Sequence, residues 1–223
     1  MPPLVSKDEW VAARKRLLTQ EKELTQARDA LSGDRRRLPM VEIEKEYLFE
    51  GPEGAATLLD LFEGRRQLIV DHYMFDPDWD EGCTSCAGRV DQYGNLAHLH
   101  ARDTAFALVA RAPLPKLQAY QASRGWTVPW YSSYGSDFNY DFHVTLDERV
   151  APLEYNYRTK QEWEHLGKPL DFEQPFELHG TSCFLRDGDR IFHTYSTYGR
   201  GTEQVGGTHY YLDMTALGRQ DPA

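Results

Sequence analysis

The sequence predicts an α/β fold, a central mixed sheet flanked by helices, on three observations. The runs Gln67 to Phe75 and Thr104 to Ala110 have the length and near-continuous apolar character of strands buried on both faces. A helical pattern lies between these runs and another follows, so strand and helix alternate, which sets a parallel pair with a right-handed crossover. Ser182 to Arg186 and Ile191 to Ser196, around the turn Asp187-Gly188-Asp189, read as a hairpin that adds antiparallel strands.

In chain order, Ser6-Lys7-Asp8-Glu9 is a capping box that opens a segment without Pro or Gly as far as Ser32, and so a long helix. Trp10, Leu17, Leu24 and Leu31 recur every seven residues, with Ala13 and Ala27 between them, as one narrow apolar stripe on a charged rod. Such a stripe must lie against something. The expectation is packing on its own domain, with a homodimer contact as the alternative. Gly33 and Arg35-Arg36-Arg37 before Pro39 end the helix, so residues 1–38 form a helical extension outside the core fold and 39–223 the main domain. Val41 to Phe49 alternates like a strand, Gly51-Pro52-Glu53-Gly54 is a turn, and Thr57 to Phe62 reads as a short helix. Ala87 to Arg102 and Leu114 to Arg124 read as helices, the second ending at Gly125. Trp130 to Phe142 is dense in aromatics and turn residues, and about 147–178 is polar and Pro-containing, an insertion expected to be irregular.

A chain of 223 residues bounds the architecture to one well-buried core. Its 40 % hydrophobic and 13 % aromatic content excludes a disordered chain. The net charge of -10 argues against a surface for phosphate backbones, so nucleic acid is not an expected partner. Charges scattered through the first residues argue against a secretory signal, and no apolar run approaches the length of a membrane span. The expected compartment is the cytoplasm. Three cysteines in a reducing compartment weigh against a disulfide framework and toward catalysis or metal binding.

Cys83 and Cys86 stand two residues apart where the first buried strand gives way to a helix. The first cysteine would sit at the helix N-terminus, where free N–H groups and the dipole favour a thiolate, and the second, one turn on, is placed to resolve a mixed disulfide. The competing reading is a pair of inert structural thiols. Asp76, Asp78, Asp80 and Glu81 precede the pair, and their field is expected to oppose the thiolate. His98 and His100 cannot share a helix face. His143 and His193 come from segments that could converge near the cysteines, although sheet-edge hydrogen bonding is the plainer reading. Cys183, in an apolar strand, reads as a small buried hydrophobe.

Trp79-Asp80-Glu81-Gly82-Cys83 with Cys86, then Ser136 to Phe142, Phe192 to Tyr198 and the ending Tyr211-Leu212-Asp213-Met214-Thr215, resemble the DUF899 family, as does the Glu9-Trp10…Ala13-Arg14 helix. Members are described as dithiol-disulfide oxidoreductases with a thioredoxin-like fold. The resemblance implies a redox pair at Cys83 and Cys86, a substrate that is a protein or small-molecule disulfide or thiol, and no required cofactor. Trp79 would cover the site, and Thr181, counted back from Phe184 to the place where thioredoxins carry a cis-proline, would flank it. Pro77 and Glu81 depart from the peroxiredoxin pattern, which argues against a thiol peroxidase. His179 lies six residues before Leu185, as in the copper chaperones of cytochrome oxidase assembly. A Cu(I) site of Cys83, Cys86 and His179 is therefore the second reading. The third is a non-catalytic binding module using the aromatic patch from Tyr131 to Phe142.

Overall fold

The computed structural model describes residues 3–93, 95–202, 211, 212, 215, 217, 218 and 220. The long helix α1, Lys7–Arg36, is followed by β1 (Val41–Glu42), β2 (Leu48–Gly51), β3 (Gly54–Thr57) and a 3-10 turn at Asp60–Phe62. Then come β4 (Gln67–His72), α2 (Thr84–Val90), α3 (Ala97–His100), β5 (Thr104–Ala110) and α4 (Leu114–Arg124). Next are β6 (Trp130–Ser132), α5 (Phe138–Asp141), β7 (Thr145–Leu146), β8 (Glu154–Tyr155), β9 (Arg158–Thr159) and α6 (Lys160–His165). The chain continues through β10 (Phe176–Glu177), β11 (Gly180–Asp187) and β12 (Arg190–Tyr198) into a 3-10 turn at Gly199–Thr202.

Eight of these strands form one sheet in the order β1-β12-β11-β4-β5-β6-β2-β3. Its heart is β5-β4-β11-β12. β4 and β5 run parallel from Gln67 opposite Thr104 to His72 opposite Val109, and β11 lies antiparallel on the other side of β4. The β11–β12 hairpin completes the set. A strand–helix–strand–helix unit closed by a hairpin, with its first strand central, is the thioredoxin-like arrangement that the sequence predicts. Every residue of β4 is buried. Ile69 and Tyr73 face the layer that holds Cys86, Val90 and Leu117, and Leu68 and Val70 face Phe62, Phe138, Phe142 and Phe184 on the other side. Each large side chain buried this way contributes roughly 1.5–3 kcal/mol. Two polar residues interrupt the run, and each has a partner: Asp71 meets Arg89, and His72 Nε2 meets Ser182 Oγ at 2.8 Å.

The capping box is present, with Ser6 Oγ accepting from the Glu9 N–H and the Glu9 carboxylate accepting from the Ser6 N–H. The expected packing of the stripe on its own domain is not found: Trp10, Leu17, Leu24 and Leu31 are 58 %, 50 %, 51 % and 49 % exposed. The alternating segment from Val41 to Phe49 is two strands in opposite halves of the sheet, β1 at one edge against β12 and β2 between β6 and β3, because charged Glu44, Lys45 and Glu46 interrupt it. The helix expected over Ala87 to Arg102 is split into α2 and α3. Asp91 turns its carboxylate to Arg124 and Trp126, and Asn95 Oδ1 accepts from the Ala97 N–H at 2.9 Å, a side-chain turn that starts the second piece. Trp130 to Ser132 extends the parallel set as β6. Residues 147–178 run mostly through turns and loops, with short elements among them: β8 and β9 pair, and α6 opens with its own capping box between Thr159 and Glu162. Leu146, Leu153 and Leu170 give this segment a small core, too sparse in apolar residues to be visible as a periodic pattern. Within the motif 211–215, Asp213 and Met214 lie outside the described residues.

Candidate active site

Cys83 is the N-cap of α2 and is half-buried, and Cys86 lies within the helix at 3 % exposure. The loop from β4 delivers Cys83 to that position through three contacts. Its N–H donates to the Met74 carbonyl at 3.0 Å, its carbonyl accepts from the Tyr73 hydroxyl at 3.0 Å, and Gly82 lies against the Tyr73 ring. A Cβ at position 82 would stand 2.7 Å from Tyr73 Cε1, so the close approach needs glycine. The loop is therefore seated on the end of the central strand.

Both cysteines are free thiols. Hydrogen bonding from Cys86 is the main reason that the Cys83 thiol is lowered to about 5; the Ser85 hydroxyl and the backbone N–H groups of Ser85 and Cys86 add to it, against the cost of burial. Ser85 Oγ stands 3.0 Å from Cys83 Sγ. The same hydrogen bond between the two side chains, together with burial, pushes Cys86 up, so one proton is held by the inner sulfur and the outer carries the charge. The opposing acidic field expected from the sequence does not prevail. Asp78, Asp80 and Glu81 are exposed and screened by water, and Asp76 is tied to Arg111, so the short-range donors decide. Burial pushes Cys183 up to about 12, consistent with a core residue.

A cavity of about 500 Å³ opens beside Cys86, lined by Ser85, Gly88, Arg89, Gln92, His179 and Thr202. Arg89 lies one turn beyond Cys86 on α2, its Nη2 2.5 Å from Asp71 Oδ1. Burial raises Asp71 to about 6, against the pull of Arg89. The guanidinium charge also favours a thiolate at Cys86. Ser85, Arg89, Asp71 and Tyr73 stand at the site without belonging to any motif in the sequence. Two signals were present: a charged residue inside the apolar run of β4, and an arginine at i+3 from the second cysteine.

Thr181 does not border the site on its open side. It is 1 % exposed and pairs with Asp71 and Thr197 inside the sheet, because β11 begins earlier than a count from Phe184 suggests. His179, just ahead of β11, takes the place at the mouth. Trp79 is 38 % exposed and lines a second recess with Asp76, Asp78 and residues 173–177. His193 lies across the sheet from the cysteines, with Phe142, Phe184 and Ser196 Oγ. His143 turns a left-handed corner after α5. Copper ligation is not assembled: among the described residues no group of three His, Cys, Asp or Glu side chains stands where it could hold a metal ion. His179 shares the cavity with Cys86, but its Nε2 meets the Gly199 carbonyl at 3.2 Å.

These features define a thioredoxin-like α/β protein with a dithiol at the head of its first crossover helix. The chain belongs to the DUF899 family, whose model, described as a bacterial protein of unknown function, matches residues 1–223. Among solved structures it is similar to a mutant of Xanthomonas campestris Peroxiredoxin Q, at 13 % identity and a TM-score of 0.44 over 68 % of this chain and 79 % of that one. A mutant of Xylella fastidiosa PrxQ aligns at 10 % identity and a TM-score of 0.45 over 70 % and 83 %. BsSco, of the Sco family of cytochrome c oxidase assembly proteins, aligns at 13 % identity and a TM-score of 0.36 over 71 % and 85 %. Comparison with curated proteins gives no match. No helix among the described residues is long and apolar enough to cross a membrane.

The thiol asymmetry has a direct readout. Alkylation of the reduced protein by iodoacetamide is expected to mark Cys83 first, with a rate that rises through about pH 5 and is level by pH 7. Mass mapping of the alkylated peptide checks it; a midpoint near the ordinary thiol value of about 8.5 would contradict the hydrogen-bonded arrangement.

Proposed function

We propose that the protein is a dithiol–disulfide oxidoreductase, with Cys83 as the attacking and Cys86 as the resolving cysteine. The observation that carries this reading is the placement of the two sulfurs: one half-exposed at a helix N-terminus, the other buried one turn on and sharing a proton with it. The Cys83 thiolate attacks one sulfur of a substrate disulfide, and the other substrate sulfur leaves as a thiolate. Cys86 then loses its proton and attacks Cys83 Sγ, expelling the second substrate thiolate. The substrate is reduced to two thiols by two electrons, and the protein is left with a Cys83–Cys86 disulfide that an external dithiol must reduce. Arg89 supports the second step by offsetting the charge that forms on Cys86. The cavity lined by Ser85, Gln92 and His179 is the entry for the substrate segment next to the disulfide.

A hydrogen-bonded Cys83 thiolate stabilises the dithiol over the disulfide, so the couple should be more oxidising than that of thioredoxin, about −270 mV. Equilibration with glutathione buffers, followed by thiol trapping and metal analysis of the same sample, tests the reading. A reversible two-electron couple that disappears in Cys83→Ser is the expected result. Absence of any reversible couple, or stoichiometric copper lost on the same substitution, would overturn it.

A further inference from the structure

Helix α1 is 30 residues long, about 45 Å, and among the described residues its far end is what is fastened to the core, where Ser32 is buried and the Arg35 guanidinium stands 5.4 Å over the Tyr195 ring. Of the rest, every residue but the half-buried Val11 and Arg14 is exposed. A helix this long takes most of its stability from packing an apolar face, and none is packed here. Trp10, Leu17, Leu24 and Leu31 occupy one core position of a heptad, and Ala13, Gln20 and Ala27 occupy the other. The opposite phase would put Arg14, Glu21 and Arg28 in the seam, which excludes it.

The residues that flank this seam decide the partner. Before Trp10, Leu17 and Leu24 stand Glu9, Arg16 and Glu23, with the neutral Ala30 before Leu31, and the positions that the three charges meet across a parallel, in-register pair of helices are Arg14, Glu21 and Arg28. All three pairings join opposite charges, and a two-fold axis repeats each one. An antiparallel pair built on the same seam keeps two opposite-charge pairings, Arg14 with Glu21 and Arg16 with Glu23, but brings Arg28 against Lys7, so the parallel pair is the one in which every flanking charge is matched. Arg14 bridges Glu21 within the helix at 2.7 Å, and Glu9 closes the capping box, whereas Arg16, Glu23 and Arg28 make no ion pair among the described residues.

We propose that α1 is the dimerisation element of this protein, and that its occupant is the α1 of a second copy in a parallel two-stranded coiled coil. The apolar stripe supplies the attraction, and the alternating flanking charges select self-association in one orientation. The two cores then sit at the same end of the coil, joined through Leu31 and the anchored residues beyond it.

Sedimentation of the full chain tests this. The expected mass is twice the chain mass of 25.7 kDa, falling to the single mass in Leu17→Glu/Leu24→Glu, with near-ultraviolet circular dichroism of the core unchanged. Charge reversal fixes the orientation. Arg16→Glu should weaken the dimer by about tenfold, and Arg16→Glu/Glu21→Arg should restore it. A monomer at all concentrations overturns the proposal, as does a dimer that ignores the Leu17→Glu/Leu24→Glu change. Rescue of Arg16→Glu by Glu23→Arg instead of Glu21→Arg overturns the parallel orientation.

Discussion

Replacing Cys86 with serine is expected to turn the protein into a trap that holds its substrate on Cys83 as a mixed disulfide. Replacing Cys83 is expected to abolish exchange, by more than about a thousandfold, since serine supplies no nucleophile of comparable strength at neutral pH. The difference follows from burial. Cys86 is 3 % exposed and its thiol is pushed up, so it cannot reach or attack an external disulfide, but it lies against Cys83 Sγ and needs no diffusion to resolve it. Loss of its hydrogen bond also removes the largest cause of the lowered Cys83 pKa. Cys86→Ala should therefore move the alkylation midpoint of Cys83 up from about 5, while Cys86→Ser, which keeps a donor, moves it less. Non-reducing gels and intact-mass measurements after a single turnover with a disulfide substrate would show the adduct. If Cys86→Ser releases product as fast as the unmodified protein, the second sulfur has no resolving role.

The sequence displayed the parts of this site that depend on neighbours in the chain, and hid those that depend on tertiary contacts. β4, β5 and the β11–β12 hairpin were legible because their burial is nearly complete and therefore written as apolar runs. The dithiol was legible from its place between strand and helix. The sign of the pKa shift was not. The carboxylates that crowd the sequence ahead of Cys83 point into water or to Arg111, and of the donors that matter, Ser85 looks unremarkable in a linear reading and Cys86 is marked as a thiol but not as a donor to Cys83. The burial of Thr181 was hidden for a related reason: counting from Phe184 fixes the register of β11 but not where the strand begins, and Gly180 and Thr181 also pair, ahead of the hairpin pattern. The exposed stripe on α1 was visible as a stripe, but nothing local distinguishes a face that meets its own core from one that does not.

Arg111 shows the same limit and carries the largest expected effect on stability. It follows β5 and joins two carboxylates distant in sequence: Asp76, in the loop that leads to Cys83, and Glu177 of β10, whose Oε1 accepts from Arg111 Nε at 2.6 Å. The Glu177 side chain is 1 % exposed and also accepts from Thr145 Oγ1. Burial raises its pKa, and Arg111 is what opposes the rise. An exposed ion pair contributes about 0–1 kcal/mol, but removing one partner of a buried set leaves uncompensated charge. Arg111→Leu is therefore expected to cost on the order of 3–5 kcal/mol near pH 7.5. The sign of the pH dependence follows. Without the guanidinium, the folded-state pKa of Glu177 rises further above its unfolded value, so the folded protein binds the extra proton and the deficit shrinks as pH falls. Urea unfolding monitored by tryptophan fluorescence should show a smaller penalty at pH 5 than at pH 7.5, and Arg111→Leu/Glu177→Gln should regain part of the loss at pH 7.5. A penalty under about 1 kcal/mol, or one independent of pH, would mean that the two carboxylates find other partners. Because Asp76 holds the loop that seats Cys83 at the head of α2, the same substitution should raise the alkylation midpoint of Cys83 in protein that remains folded. That result would tie the buried charge set to the reactive sulfur through the loop between them.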